Sequence, residues 1–128
     1  MELDSLYNIA EKENIKIYDW QIEDVDGMYL NYQNINAIAL NYDRLGTYID
    51  EKCILAEELG HYYMNATYPA NTEDKVLISK QEHRAKKWSY YVLIPFENLR
   101  RAILKRNQYS FCSCGIFWGY RGIYEQRN

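Results

Sequence analysis

At 128 residues and 48% hydrophobic, the chain is long enough for one domain around one apolar core. No run approaches the roughly 20 apolar residues of a membrane span, and Met1-Glu2-Leu3-Asp4 lacks the basic-then-apolar order of a signal peptide. A cytoplasmic protein without a membrane partner is the expectation, and a net charge of −3 with a pI near 5.4 argues against direct nucleic-acid binding.

The net charge conceals an asymmetry. Residues 1–79 carry 15 acids against 5 bases, whereas residues 80–106 carry 8 bases against 2 acids. The bases Lys80, Arg84, Lys86, Lys87, Arg100, Arg101, Lys105 and Arg106 fall on two predicted helices with apolar faces, so they read as solvated faces that complement an acidic half. The cysteines are odd in number, and Cys53 is remote from Cys112-Ser113-Cys114. They make no disulfide framework, and no second Cys/His pair completes a zinc site, so they read as ordinary thiols.

Taken in chain order, Leu3, Leu6, Tyr7, Ile9 and Ala10 have helical spacing and predict a first helix that ends by Asn14. The segments 15–20, 27–32 and 37–42 alternate in polarity and predict three short strands. The second and third are joined by the polar connection Gln33-Asn34-Ile35-Asn36, which predicts an antiparallel hairpin. From Tyr48 to Met64, Ile49, Cys53, Ala56, Gly60 and Tyr63 recur at three- and four-residue steps, with Asp50 and Glu51 near the start. A further helix is predicted from Ser79, as N-cap, with Glu82 at the capping-box position, to the Ile94-Pro95 boundary. Another begins near Pro95 and carries Phe96, Leu99, Ile103 and Leu104. The fold class is therefore α+β. One continuous domain is expected over residues 1–106, followed by an aromatic, glycine-containing tail, 107–128, with no clear period.

The most informative feature lies on the second predicted helix. Glu57-Glu58-Leu59-Gly60-His61 reads as the zinc-protease motif HExxH with its first histidine replaced by glutamate. In that motif a helix sets two ligands at i and i+4, about 5–6 Å apart at Cβ, and the glutamate between them acts as a base toward water. Glu57 and His61 hold the two ligand positions here, and Glu58 holds the base position. A lone histidine on an apolar helix is commonly a packed core residue. Two adjacent acids on the same apolar side are hard to explain as solvated charge, which favours the ligand reading. A third ligand must come from another element. Glu82 suits either that role or a helix-capping acid, and its neighbour His83 is expected to face elsewhere.

The stretch Ile54-Leu55-Ala56-Glu57-Glu58-Leu59-Gly60-His61-Tyr62-Tyr63, with the later Glu82-His83-Arg84-Ala85 and the Leu93-Ile94-Pro95 ending, resembles the ImmA/IrrE family of metallo-endopeptidases over residues 1–105. The family pattern in the second block is a glutamate, a small residue three on, and a Leu-hydrophobic-Pro close. The resemblance implies a minimal zincin-like domain: a small three-stranded sheet, a signature helix and following helices. It implies Glu57, His61 and Glu82 as metal ligands, Glu58 as catalytic base, and Zn²⁺ as cofactor. The expected partner is a co-encoded helix-turn-helix repressor of a phage or mobile element, cleaved as the protein substrate. Tyr62 or Tyr63 is available as a donor to the oxyanion, and the substrate is expected along a strand edge within residues 27–42.

Glu57 departs from the family's usual histidine. Two carboxylates and one imidazole neutralise a divalent cation, weakening it as a Lewis acid, and an oxygen-rich set suits Mn²⁺ better than a histidine-rich one does. The alternatives to a zinc-dependent endopeptidase are therefore an inactive, metal-free module of the same fold that acts by binding a repressor, and a helical interaction protein in which the motif is accidental. The last would place Glu82 far from Glu57 and His61.

Overall fold

The computed structural model of the protein describes residues 1–94, 97, 98, 100 and 101. The elements follow as α1 (Leu3–Lys12), β1 (Lys16–Asp19), β2 (Gly27–Tyr32), β3 (Ile35–Leu40), α2 (Tyr48–Tyr63) and α3 (Lys75–Leu93). This is an α+β fold with three helices and a three-stranded mixed sheet in the order β1-β3-β2. No helix among the described residues is long and apolar enough to cross a membrane.

Of the predicted stripe, α1 buries Leu3, Leu6 and Ala10, with Tyr7 and Ile9 buried in part, and it ends where Asn14 takes a positive φ of 59°. β2 and β3 form the expected hairpin, but over a tighter turn than the four polar residues suggested. Gln33 and Asn34, at φ 49° and 65°, make the whole connection, and Ile35 already pairs with Tyr32. Two residues with positive φ suit the twist of the flanking strands, which pulls Ile35 and Asn36 into the sheet. β3 is the central strand, parallel to β1 on one side and antiparallel to β2 on the other. Its successive residues Ile38, Ala39 and Leu40 are all buried, so this half of the strand is covered on both faces.

α2 starts at Thr47, whose Oγ1 accepts the Asp50 N–H at 3.1 Å. Its burial does not follow a single stripe. Ile49 and Tyr63, assigned to the apolar face by spacing, are 37% and 40% exposed, whereas Lys52 and Glu58 are buried. The reason is enclosure on several sides: α2 packs against α1, β2, β3 and α3. With Leu55 and Leu59 fully buried beside Leu6, Ile38 and Leu40, it forms the centre of the core. Cys53 is buried on this helix; Cys112 and Cys114 lie outside the described residues.

α3 begins one turn earlier than its sequence suggested. Asp74 is the N-cap, its Oδ1 accepting the N–H groups of Val76 and Leu77 at 3.1 Å each, so Ser79 lies inside the helix and Glu82 is not a capping acid. Ala85, Ser89 and Leu93, four residues apart, form its buried stripe. Of the helix expected after Pro95, Glu97, Asn98, Arg100 and Arg101 are helical; Phe96, Leu99, Ile103, Leu104 and the tail 107–128 lie outside the described residues.

α2 and α3 meet almost backbone to backbone. A Cβ placed on Gly60 would fall 2.3 Å from the Ala85 carbonyl oxygen, a distance no side chain tolerates. Since that oxygen belongs to a helix main chain, relief requires the helices to separate. Gly60→Ala is therefore expected to cost about 1–3 kcal/mol or more, read as a lower denaturant midpoint. A wild-type midpoint in that variant would contradict the packing described.

Candidate metal centre

Glu57, Glu58 and His61 of the motif line one groove. Glu57 and His61, one turn apart on α2, face a groove of about 1260 Å³ bounded by β2, by residues 65–70 and by Glu82 and Lys86 of α3. Glu58 lines the same groove on its β2 side but is only 8% exposed, with its carboxyl accepting the main-chain N–H of Tyr29. β2 comes this close because Gly27 has no side chain: a Cβ there would lie 2.7 Å from Ile54 Cγ2 and 3.3 Å from Glu58 Cγ.

Glu82 reaches the same groove from α3. Three residues before Ala85, it is carried by the Gly60–Ala85 contact to the residue that follows Gly60, and its Oε1 lies 3.5 Å from His61 Nε2. One donor atom from each of Glu57, His61 and Glu82 lies within 4.8 Å of the other two. The distant Glu82 expected if the motif were an accident is not what the fold shows. His83, as expected, faces away and is exposed.

The hydrogen bonds around the three groups favour metal ligation. His61, 7% exposed, places Nδ1 2.6 Å from the Ala66 carbonyl oxygen. A carbonyl only accepts, so Nδ1 carries the proton and Nε2 is the nitrogen turned toward Glu82. Metal-ligating histidines are commonly oriented this way. Tyr68 donates its hydroxyl to Glu82 Oε1 at 2.8 Å. Two carboxylates and one imidazole nitrogen, half-buried and convergent, suit a divalent cation.

Without a cation, these groups perturb one another. Burial raises the Glu57 carboxyl above its ordinary range, with Lys86 acting against that shift. Burial pushes Glu58 up to about 8. Burial alone would lower His61, but its hydrogen bonds to Glu82 and the Ala66 carbonyl outweigh that and raise it to about 9. The hydrogen bond from His61 holds Glu82 below the usual carboxylate range against its burial, and burial followed by the bond to Glu82 raises the Tyr68 phenol to about 12.

The tyrosines nearest the motif in sequence do not serve the groove. Tyr62 donates to Glu13 at 2.8 Å, and Tyr63 stacks on Trp88 with ring centroids 4.8 Å apart. Tyr29 and Tyr68 are the tyrosines that line it. Tyr68, Lys86 and the Ala66 carbonyl carried no sequence signal of their own, because each belongs to the site only through the chain's return from α2 to α3. Compared with known proteins, the chain matches no family model, no curated protein and no solved structure.

These shifts set the pH dependence of the metal-free fold. His61, raised from 6.5 to about 9, contributes stability that is complete below pH 6.5 and lost as pH rises through about 9. Glu58, raised from 4.5 to about 8, contributes in the same sense, complete below pH 4.5 and lost on rising through about 8. Glu82, lowered, contributes above its ordinary pKa of 4.5 and loses that contribution on acidification. Chelator-treated protein is therefore expected to have a higher urea midpoint at about pH 6 than at about pH 9.5, with a smaller difference in Glu58→Gln. A midpoint that rises over this range would refute the assignment.

Proposed function

We propose that the chain is a metallo-endopeptidase with a zincin-like core of the ImmA/IrrE kind, directed at a helix-turn-helix repressor encoded beside it. The observation that carries this reading is the convergence of Glu57, His61 and Glu82 within 4.8 Å beside a buried Glu58. Glu57, His61 and Glu82 would hold the cation, Zn²⁺ in the first instance and Mn²⁺ as the oxygen-rich alternative. When bound, such a cation supplies Lewis acidity at a peptide carbonyl and acidifies water.

The chain's own residues account for the remaining requirements. Glu58 would be the general base, taking a proton from water and later passing it to the leaving amine; in the metal-free fold its burial raises the carboxyl, placing it among the groups a nearby cation would shift. His61 is kept by Ala66 in the tautomer that offers Nε2. Lys86, at the groove wall, sets a positive charge near Glu57 and Glu82 and offsets part of the negative charge added where the family has histidine.

Substrate binding follows from the hairpin register. Asn41 donates its N–H to the Asp26 carbonyl, so in the alternating antiparallel pattern the main-chain groups of Gly27, Tyr29 and Asn31 point away from β3. They face the groove, along a strand edge that no other described strand covers. The Tyr29 N–H is already taken by Glu58, so an extended peptide would pair there through the Tyr29 carbonyl and the main-chain groups of Gly27 and Asn31. The replacement of the first histidine by Glu57 favours a second reading, a metal-free module that controls the repressor by contact alone.

Metal content and one variant separate the two. Purified protein is expected to bind one equivalent of Zn²⁺ and to lose it in Glu57→Ala or His61→Ala; absence of metal binding at every pH favours the contact module. In co-expression with the neighbouring repressor, Glu58→Gln should keep fold and metal and reduce cleavage by about 10²–10⁴-fold or more. Cleavage at the wild-type rate in that variant would sink the enzyme reading.

A further inference from the structure

Building on the metal-centre reading, we infer that Tyr68 is a positioning residue for Glu82, and that the segment from Ala66 to Tyr68 presets two of the three donors before any cation arrives. The Tyr68 hydroxyl donates at 2.8 Å to Glu82 Oε1, the same oxygen that lies 3.5 Å from His61 Nε2. Two residues earlier in the chain, the Ala66 carbonyl holds His61 through Nδ1 at 2.6 Å. One short piece of chain thus grips both groups, His61 through a main-chain oxygen and Glu82 through a side-chain hydroxyl.

That piece is itself fixed. Asn65, at φ 48°, turns the chain out of α2, and the Ala66 N–H returns to the His61 carbonyl at 3.0 Å. The Ala66 side chain is fully buried. Arg84, two residues after Glu82 on α3, donates through Nη2 to the Met64 carbonyl at 2.6 Å. The loop and the helix that carries Glu82 are therefore tied together at a second point besides the Tyr68–Glu82 bond.

The physical effect is preorganisation. A glutamate on a helix surface samples many rotamers, and ordering it on ligand binding costs free energy. Tyr68 limits that sampling beforehand. A carboxylate has about four lone-pair sites, so accepting one hydroxyl proton leaves others free for a cation. Partners of this kind around a ligand typically change metal affinity by 10- to 100-fold.

The test is a double-mutant cycle read by Zn²⁺ affinity, in competition with a chromophoric chelator, on wild type, Tyr68→Phe, Glu82→Ala and the double variant. Tyr68→Phe should bind Zn²⁺ about 10–100-fold more weakly. In the Glu82→Ala background the same change should have less than about a twofold effect, because the carboxylate it acts through is gone. A wild-type affinity in Tyr68→Phe overturns the inference, and so does an equal loss in both backgrounds, which would mark a structural role. The absorption spectrum of the Co²⁺-loaded proteins is the readout that does not depend on stability: at saturation, Tyr68→Phe should differ from wild type in its d–d bands, and identical spectra count against a role at Glu82. Wild-type protein that binds no Zn²⁺, or that binds it unchanged after His61→Ala, removes the metal centre and this inference together, an outcome distinct from failure of Tyr68 alone.

Discussion

The site depends on how closely α2 and α3 approach. Gly60 leaves room for the Ala85 carbonyl, and the residue after Gly60 is His61, while Glu82 stands three residues before Ala85. The helices are thereby locked at the level where the two functional side chains face each other. A side chain at position 60 would push the helices apart at the level of the His61–Glu82 pair. The glycine inside the motif acquires a cause in this contact.

The second constraint is electrostatic. Glu57, Glu58, His61 and Glu82 are gathered where burial disfavours ionised carboxylates, and the fold accommodates them with few partners. His61 is held protonated against Glu82, Glu58 is raised by burial, and Lys86 works against the rise in Glu57. A cluster of this composition is costly as pure structure, since buried acids without strong pairing destabilise a fold. A divalent cation would resolve the repulsion among the carboxylates and displace the His61 proton, so binding and folding would support each other. Glu58 lies outside the three-donor set, and in the metal-free fold burial against β2 raises its carboxyl.

Much of the local structure was legible in the chain. The α1 stripe, the β2 boundaries, the hairpin and the extent of α2 follow from periodicity and turn residues, because each is decided by neighbours a few positions away. Misreadings arose where distant contacts decide. The apolar spacing of Ile49 and Tyr63 suggested a buried face, yet α2 is enclosed by the sheet, α1 and α3, so burial falls on other residues, including Lys52 and Glu58. Asp74 outcompeted Ser79 as the start of α3 because its carboxylate reaches two free N–H groups at once. The parallel pairing of β1 with β3 left no mark on either strand's sequence.

The sequence by itself determined that Glu57 and His61 share one side of a helix with Glu58 between them, since a helical repeat allows no other arrangement at that spacing. It left Glu82 between two roles, capping acid and ligand. Only the tertiary structure removed the capping role, by starting α3 at Asp74, and docked the helix through Gly60 so that Glu82 faces His61. It also supplied what no spacing encodes: the Ala66 carbonyl that sets the His61 tautomer and the Tyr68 hydroxyl that holds Glu82. Those contacts join residues from separate elements, and their geometry exists only once α2, the loop after it and α3 have packed together.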